Sequence, residues 1–588
     1  MKALLVYLRR YRLECVLAPA FKLLEALADL SVPLVVSDIL KRGVEAGDRS
    51  VIWADFLLLV FLAVAGVGFS FTAQWFAAKA SVGFATNLRQ AMFDRIQGLS
   101  YTELDRLGTD TLITRMTSDN NQVKNGVNLD LRLLLRSPFI VFGAMIVAFT
   151  IDVPTAWIFA GVIPLLLLVV FGVMLTSIPL NAKVQQVLDK LLGRTRENLE
   201  GVRVIRAFTR EEAEIAAFDA QNEALTKMNE KVGRLSAVMN PATYVLINIA
   251  TILLIRSGAL RVQAGSLEQH QVVALYNLMA QIIVELIKLA SLIITINRSL
   301  ACAGRVRDML AAESSMQYPE KADAFVPAGP DSPVPAVRFD RVSFTYAGAG
   351  AESLTDISFT AERGQTVGVI GGTGSGKTTL VDLIARFYDA TEGRVEAFGA
   401  DVRSYPAGEL IRQIGVVPQK AVLFEGTVRG NLCWGREEAS DEELWEALRL
   451  AQAEEVVAGK GGLDAPVEQG GRNFSGGQRQ RLTVARALVR RPKILILDDS
   501  ASALDFATDL KLRRALRKLD KETTVFLVSQ RMATVRAADR ILVLEDGRLA
   551  GSGTHEELLA DCPAYQEICA SQLPEKYGNT AAAGEAGV

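Results

Sequence analysis

A glycine-rich stretch at residues 371–379, with the sequence GGTGSGKTT, carries the side chains best suited to bind a chain of phosphates. It fits the pattern G-x-x-x-x-G-K-[ST] between an apolar run, 366–370, that predicts a buried strand and a run, 380–385, that predicts a helix. Glycines let backbone N–H groups turn inward around phosphates, and the helix N-terminus adds further donors. We expect Lys377 to contact the β- and γ-phosphates and Thr378 to reach Mg²⁺. The predicted phosphate-binding residues are Gly371, Thr373, Gly374, Ser375, Gly376, Lys377, Thr378 and Thr379.

A second candidate lies at the end of another apolar run, where residues 494–497 (ILIL) precede Asp498. A buried strand that ends in an acid has the form of a Walker B motif. We expect Asp498 to hold Mg²⁺ opposite Thr378, usually through water. The signal gains its weight from following a phosphate-binding loop at a suitable distance.

The elements that position these residues belong to a long chain that has an apolar first part and a more polar second part. The 588 residues exceed one ordinary domain, and 50% of them are hydrophobic, with the long apolar runs all before about residue 300. The net charge of −2 gives no basic surface for nucleic acid, so no nucleic-acid partner is expected. Five cysteines without paired spacing argue against a zinc site or a disulfide framework.

Six segments are long and apolar enough to predict membrane spans, since a spanning helix needs about 20 mostly apolar residues. Charged residues interrupt the first and the last of them. The segments are 15–40, 56–78, 137–151, 153–180, 238–255 and 272–296. The chain is therefore expected to be a multi-pass protein of the cell membrane, with the lipid bilayer as a partner.

The connecting segments predict the orientation. Residues 79–136 and 183–234 are rich in Lys and Arg, so they, the N-terminus and the soluble part are expected in the cytoplasm. Helical patterning over 87–119 and 187–231 predicts spans that extend beyond the bilayer. Bends near 101–105 and 207–210 are expected to dock onto another domain.

The charges inside the spans allow two interpretations. Lys22, Glu25 and Asp29 are spaced to share one helix face, as are Glu285 and Lys288. They form either a polar patch that contacts substrate or a set of ion pairs that holds the helices together.

The predicted domain order is a transmembrane domain at 1–310, a Pro-containing linker at 311–336, an α/β nucleotide-binding domain at 337–575 and a disordered tail at 576–588.

Residues 473–478, NFSGGQ, precede a basic helix, and here the sequence resembles the ATP-binding cassette (ABC) family, whose signature is LSGGQ. Phe474 in place of Leu is a mild departure. The resemblance extends over the whole chain and implies a half-transporter of the type IV exporter fold, with ATP and Mg²⁺ as its cofactors. It also implies that Tyr346 stacks on adenine, that Gln419 senses Mg²⁺ and that residues 502–505 form the D-loop.

In this family ATP lies between two cassettes, and the signature of one completes the site of the other. The signature residues Ser475, Gly476, Gly477 and Gln478 are therefore expected to bind the nucleotide of a partner subunit.

Two departures from the family pattern indicate which partner. The family normally has Glu after the Walker B Asp, where this chain has Asp499, and His after the strand 524–528, where this chain has Gln530. Asp is one methylene shorter than Glu, and Gln is neutral. Either both are tolerated substitutions, or they mark the degenerate catalytic site of a heterodimeric exporter. We favour the second interpretation.

The leading hypothesis is one subunit of a heterodimeric, ATP-driven exporter of hydrophobic or amphipathic small molecules, a multidrug-like ATPase-coupled transporter. The alternatives are transport of a lipid, peptide or siderophore, or a regulatory ATP-binding subunit that does not transport.

Overall fold

The computed structural model describes residues 2–319, 334–500, 503–519 and 522–573. Two compact units divide the chain: unit 1 comprises residues 1–97 and 109–312, and unit 2 comprises 98–108 and 313–588. Most of the predicted linker, the D-loop residue Ser502 and the predicted disordered tail lie outside the described residues. The domain boundaries therefore stay a prediction, with one observed difference, that residues 98–108 group with the later part of the chain.

Unit 1 is built from helices, nine of which are α-helices in its described part. Short non-α turns join some of them: a 3₁₀ segment at Lys2–Tyr11 and π segments at Ile39–Glu45 and Arg115–Asp119. The α-helices are α1 (Arg12–Asp38), α2 (Arg49–Gln97), α4 (Thr109–Thr114), α5 (Asn120–Leu133), α6 (Arg136–Ile151), α7 (Val153–Glu200), α8 (Val202–Ala207), α9 (Glu211–Gln263) and α10 (Gln269–Leu310), while α3 (Tyr101–Leu107) belongs to unit 2.

Five helical segments of the described chain are long and apolar enough to cross a membrane, against six predicted spans. The segments are Arg49–Gln97, Thr109–Ile151, Val153–Glu200, Glu211–Gln263 and Gln269–Leu310. The first predicted span forms a continuous helix, α1, of 27 residues, but it carries Lys22, Glu25 and Asp29 and is not among the five. A sixth span at α1 therefore stays a prediction.

The predicted extension of the spans beyond the bilayer is seen in the helix lengths. The 49 residues of α2 and the 53 of α9 give helices of about 73 and 80 Å at ~1.5 Å per residue. A bilayer core is about 30 Å thick. Each helix is therefore more than twice as long as the bilayer core is thick.

The charges within unit 1 form ion pairs, as the second of the two interpretations expected. Lys22 contacts Glu25, Lys288 contacts Glu285, and Arg136 lies among Glu25, Asp29 and Glu285. Arg136 sits at the start of α6, just outside the predicted third span, so sequence reasoning did not include it. These pairs connect α1, α6 and α10.

Unit 2 contains two larger sheets and a short two-stranded one. Their orders are β2-β1-β4-β5, β12-β11-β3-β10-β9-β6 and β7-β8. The strands are β1 (Val337–Phe344), β2 (Leu354–Ala361), β3 (Thr366–Gly371), β4 (Glu392–Ala397), β5 (Ala400–Asp401), β6 (Ile414–Val417), β7 (Gly426–Thr427), β8 (Pro466–Val467), β9 (Ile494–Asp498), β10 (Thr524–Ser529), β11 (Arg540–Glu545) and β12 (Arg548–Gly553).

The remaining α-helices of unit 2 lie between these strands or after them in the sequence. They are α11 (Lys377–Ile384), α12 (Glu409–Arg412), α13 (Val428–Cys433), α14 (Asp441–Leu450), α15 (Glu454–Ala458), α16 (Gly476–Val489), α17 (Phe506–Leu516), α18 (Met532–Val535), α19 (His555–Asp561) and α20 (Pro563–Gln572), with 3₁₀ turns at Val402–Ser404 and Gln469–Gly471.

The six-stranded sheet brings the candidate site together. β10 pairs in parallel with both β3 and β9, with Ser529 opposite Ile370 and Val528 opposite Asp498. All five residues of β9 are buried, and so are all but the first of β3. Parallel strands end at the same edge of a sheet, so the glycine-rich loop at the end of β3 and the acids Asp498 and Asp499 at the end of β9 lie at one edge.

Helix α3 docks within unit 2, which confirms that the predicted bend near 101–105 contacts another part of the chain. The rings of Tyr101 and Phe387 lie 4.7 Å apart, and the Tyr388 hydroxyl donates a hydrogen bond of 2.6 Å to the Asp105 carboxylate. Burial and this hydrogen bond raise the pKa of Tyr388. For the second bend, near 207–210, docking stays a prediction.

We predict that Tyr388→Phe loosens α3 without unfolding unit 2. The change removes one hydrogen bond, which contributes about 0.5–1.5 kcal/mol, so amide exchange over Tyr101–Leu107 should quicken roughly 2- to 10-fold. Hydrogen–deuterium exchange with mass spectrometry measures this. Tyr405→Phe is the matched control, because its buried hydroxyl bonds to the Ala397 carbonyl instead. Unchanged exchange over α3 would contradict the assigned contact.

Candidate functional site

The loop between β3 and α11 has a backbone conformation that depends on its glycines. Gly374 and Gly376 have φ values of 84° and 90°, a region that side chains disfavour. A Cβ on Gly371 would lie 2.2 Å from the Leu544 carbonyl oxygen, and one on Gly376 would lie 2.7 Å from that of Ser353. The loop therefore accepts no side chain at these positions, and glycine-rich loops of this kind can direct their N–H groups at an anion.

Lys377 is the first residue of α11, and its side chain turns back against the loop. Its ammonium group donates to the Gly371 carbonyl at 3.0 Å, to the Gly372 carbonyl and to Ser375 Oγ at 3.3 Å. Burial lowers the pKa of Lys377, while the nearby Asp498 and Asp499 oppose that effect. The lysine is thus held beside the loop by weak acceptors that a phosphate oxygen could replace.

Thr378 and Asp498 meet across the site. The threonine Oγ1 donates to the Asp498 carboxylate at 2.9 Å. Burial raises the pKa of this carboxyl, and the hydrogen bond from Thr378 partly offsets that rise. A hydroxyl and a carboxylate are oxygen ligands of the type that Mg²⁺ prefers, so the pair fits the predicted metal role.

Tyr346 lies beside the end of the loop. Its hydroxyl and Thr379 Oγ1 are 3.0 Å apart, and its ring packs edge-on against Tyr388 at 5.2 Å. The aromatic residue predicted to stack on adenine therefore contacts the phosphate-binding loop, and through Tyr388 it adjoins α3.

Asp499 directly follows β9 and has a φ of 42°. Its N–H donates to the Val528 carbonyl at 3.0 Å, and its carboxylate accepts a hydrogen bond from Gln419. Burial raises the pKa of Asp499, and the Gln419 hydrogen bond, Arg531 and Lys377 lower it. Gln419 and Asp499, which were predicted separately, thus belong to one cluster.

Gln530 follows β10, next to Ser529, and is exposed. Its carbonyl accepts a hydrogen bond of 2.7 Å from Gln572 of α20. The neutral side chain thus stands at the same sheet edge as Asp499. The neighbouring Arg531, whose charge lowers the pKa of Asp499, was not among the predicted residues. Its position beside Gln530 in the sequence is the signal that could have identified it.

The signature residues lie elsewhere in unit 2. Ser475 caps α16 by accepting from the Gln478 N–H at 3.3 Å, while the Gln478 side chain accepts from the Ser475 N–H at 3.0 Å. Ser475 and Gly476 are exposed, and a Cβ on Gly477 would lie 2.8 Å from the Ala503 carbonyl. Within the described chain, no hydrogen bond joins residues 475–478 to the glycine-rich loop.

The departure at Phe474 is accommodated by packing. The side chain is 2% exposed within the apolar cluster formed by α14, α16 and their neighbours, and Lys460 lies over its ring at 4.8 Å. Phe474 therefore anchors the loop that ends in Ser475.

Asp382 is a further site residue that sequence reasoning missed. It lies one turn after Thr378 on α11, and burial together with the charges of Asp498 and Asp105 raises its pKa to about 7. The i, i+4 spacing from Thr378 was the signal in the sequence.

Comparisons with known proteins identify the family of this chain. The family described as ABC transporter transmembrane region matches residues 16–286, and the family described as ABC transporter matches residues 354–502. A protein named as an uncharacterised ABC transporter ATP-binding protein, from Mycobacterium tuberculosis, is 37% identical over 96% of this chain and 97% of its own length. The chain belongs to the ABC transporter family. It is an ATP-driven exporter half-transporter, with a transmembrane region and an ATP-binding region.

Two other relatives of this ABC exporter carry more specific names. An ATP-dependent lipid A-core flippase from Chromobacterium violaceum is 30% identical over 98% of this chain and 97% of its own length. A probable multidrug resistance ABC transporter ATP-binding/permease protein from Bacillus subtilis is 32% identical over 82% of this chain and 81% of its own.

A solved structure of a bacterial Atm1-family ABC exporter with ATP bound resembles this exporter with a TM-score of 0.79. The match covers 95% of this chain and 98% of that one at 24% identity, so it bears on the fold alone. The predicted fold class, a helical type IV exporter domain followed by an α/β ATP-binding domain, is confirmed.

We predict that Lys377→Ala weakens ATP binding at this cassette. A hydrogen bond to a charged group contributes about 1.5–3 kcal/mol, which corresponds to roughly 10- to 100-fold in dissociation constant. Titration of the purified exporter with a fluorescent ATP analogue measures it. Lys518→Ala, an exposed lysine after α17, is the control. Equal affinities for Lys377→Ala and the unaltered protein would remove the assigned role of this lysine.

Proposed function

We propose that this chain is the degenerate-site subunit of a heterodimeric ATP-driven exporter of hydrophobic or amphipathic small molecules. The observation that carries the proposal is the pair of residues at the ends of β9 and β10. Asp499 occupies the position after the Walker B acid, and Gln530 occupies the position after Ser529. The partner, a second half-transporter, would supply Glu and His at these two positions.

The conformation of Asp499 supports this assignment. Its backbone is held by the hydrogen bond to Val528, and its carboxylate is engaged by Gln419. Since Asp is one methylene shorter than Glu, its carboxylate ends about one bond length short of where the family's catalytic Glu would end. A misplacement of this size weakens the orientation of an attacking water, because catalysis depends on near-attack geometry.

Gln530 adds a second deficit. A histidine at this position can carry a charge toward the γ-phosphate, whereas the Gln amide offers only neutral hydrogen bonds. Both deficits lie in the same cassette. Together they favour the interpretation that each dimer has one weak site over the interpretation that both substitutions are merely tolerated.

The nucleotide-holding residues are nevertheless complete. Lys377 and the loop glycines would hold the phosphates, Tyr346 would hold the adenine, and Thr378, Asp498 and Gln419 would hold Mg²⁺. The ion would neutralise phosphate charge when it is bound. This chain is therefore expected to bind ATP well and to hydrolyse it slowly.

The signature supports a role at the partner's site. Ser475 and Gly476 are exposed at the N-terminus of the 14-residue helix α16, where a hydroxyl, N–H groups and the positive end of the helix dipole suit an anion. Since these residues make no hydrogen bond to the loop of their own cassette within the described chain, their ligand would be the nucleotide of the second subunit.

The membrane helices and the names of two relatives support small amphipathic molecules as the substrate class. Five long apolar helices place this chain in a membrane, and we propose that unit 2 and the N-terminus face the cytoplasm. The multidrug name of the Bacillus relative agrees with small amphipathic substrates, and the flippase name of the Chromobacterium relative makes a lipid the second candidate. Substrate-stimulated ATPase activity in vesicles would distinguish these two.

We predict that the purified chain, as a homodimer, hydrolyses ATP slowly and that the double variant Asp499→Glu with Gln530→His restores turnover. A well-placed general base typically contributes ~10²- to 10⁴-fold in rate, so activity should rise at least about 100-fold. Steady-state phosphate release measures it. Asp499→Gln with Gln530→His is the control, because Gln has the length of Glu without its charge. Rapid turnover by the unaltered homodimer would show that its own site is competent.

We predict a different pattern in the heterodimer. Ser475→Ala or Gly477→Asp should abolish turnover, since the signature completes the partner's competent site, whereas Asp499→Asn should change it little. ATP hydrolysis of the three variants in one complex measures the difference. If Asp499→Asn is the more damaging change, this chain carries the catalytic site and the two roles are reversed.

A further inference from the structure

A cavity of about 500 Å³ lies in unit 1 between α1, α6 and α10. Its apolar wall includes Val32, Ile140 and Val284, and its polar wall comprises Asp29, Arg136, Asn277, Gln281 and Glu285. A volume of 300–1,000 Å³ with mostly apolar walls and a few polar groups is typical of a small-molecule site.

The arginine of the cavity has its terminal nitrogens occupied. One contacts Glu285 at 2.6 Å, and the other contacts Asp29 at 2.8 Å and Glu25 at 3.7 Å. Arg136 is only 9% exposed. An anionic ligand would have to displace buried carboxylates from a buried guanidinium, which is costly because it leaves charges without partners.

Asp29 differs from the other carboxylates around Arg136. Its side chain is 43% exposed, against 14% for Glu25 and 5% for Glu285. Glu25 also binds Lys22, and Glu285 also binds Lys288 and Ser137. Asp29 is therefore the carboxylate that can turn to a ligand at least cost, since Arg136 keeps its contact with Glu285.

Two of the polar groups at the cavity wall are acceptors that are left open, whereas the buried Arg136 Nε is a donor without a partner among the described residues. In the described chain, only one oxygen of Asp29 is hydrogen-bonded, and the buried Gln281 Oε1 has no partner, although its amide donates to the Asp29 carbonyl at 2.9 Å. The network of Lys22, Glu25, Asp29, Arg136, Glu285 and Lys288 is formally neutral, and Asp29 is its half-exposed carboxylate. The open oxygen of Asp29 and the open Gln281 Oε1 favour a ligand that donates N–H groups, and a protonated amine can donate to both and pair with the Asp29 carboxylate.

We propose that this cavity binds an amphipathic molecule that carries a protonated amine, with Asp29 as its counter-ion and Gln281 as a hydrogen-bond acceptor. The apolar wall takes the body of the molecule, and the network around Arg136 holds Asp29 in place. The inference rests on the proposed function in one respect, that the bound molecule is an export substrate. It narrows the substrate to amphipathic amines.

The test uses three probes with one fluorophore: dansylcadaverine, which is a primary ammonium; its N-acetyl derivative, which is neutral; and dansyl-aminohexanoate, which is an anion. Equilibrium dialysis against the full chain in nanodiscs of zwitterionic lipid, with empty nanodiscs subtracted, gives each affinity. We expect the ammonium to bind about tenfold or more tightly than the neutral and anionic probes. Equal binding of the three, or a preference for the anion, would overturn the proposal.

Variants assign the effect to Asp29. Asp29→Asn should bind the ammonium and the neutral probe equally, and Asp29→Glu should keep the preference. Asp130→Asn, which removes one charge on α5 away from the cavity wall, should also keep it. Retention of the preference in Asp29→Asn would exclude Asp29 as the counter-ion.

Two measurements separate a loss of probe binding from misfolding and from a failure of the degenerate-site proposal. Binding of a fluorescent ATP analogue shows that each variant is folded, and if Asp29→Asn fails to fold, Asp29→Glu and the three probes still decide. Dialysis needs no hydrolysis, so a failure of the degenerate-site proposal appears in phosphate release and leaves the probe affinities unchanged.

Discussion

The parallel pairing of β10 with both β3 and β9 is the constraint on which the nucleotide site depends. One register places Ser529 opposite Ile370 and Val528 opposite Asp498, so the loop after β3 and the acid of β9 reach the same sheet edge. The hydrogen bond between Thr378 and Asp498 follows from this register. A slip of one residue would turn these side chains to the opposite face of the sheet, because side chains alternate along a strand.

The same edge is linked to α3 by aromatic packing. Tyr346 contacts the loop through Thr379 and contacts Tyr388 by ring packing, and Tyr388 in turn donates to Asp105. An adenine stacked on Tyr346 would therefore lie two side chains away from the segment that connects α2 to α4. All of these contacts lie within unit 2, and short segments of the chain join its α3 to α2 and to α4.

In the membrane region, buried charges serve packing and leave one carboxylate for a ligand. Glu25, Glu285 and Arg136 each have charged partners, which offsets the cost of removing charge from water. Asp29 shares Arg136 but remains nearly half exposed at a cavity. The ion-pair interpretation therefore holds for Glu25, Glu285 and Arg136, and contact with a ligand is our proposal for Asp29.

The sequence by itself determined the features that depend on local spacing. The glycine-rich loop, the buried strand that ends in Asp498, the signature at the start of α16 and most of the long apolar helices follow from local composition and periodicity, which act within one element. The departures at Asp499 and Gln530 were also visible as residue types in a known order. Only the tertiary structure decided which distant residues meet. Arg136 paired with Asp29 and Glu285, Gln419 with Asp499, and Tyr388 with Asp105, because these contacts join elements from 80 to 283 residues apart and depend on packing and register.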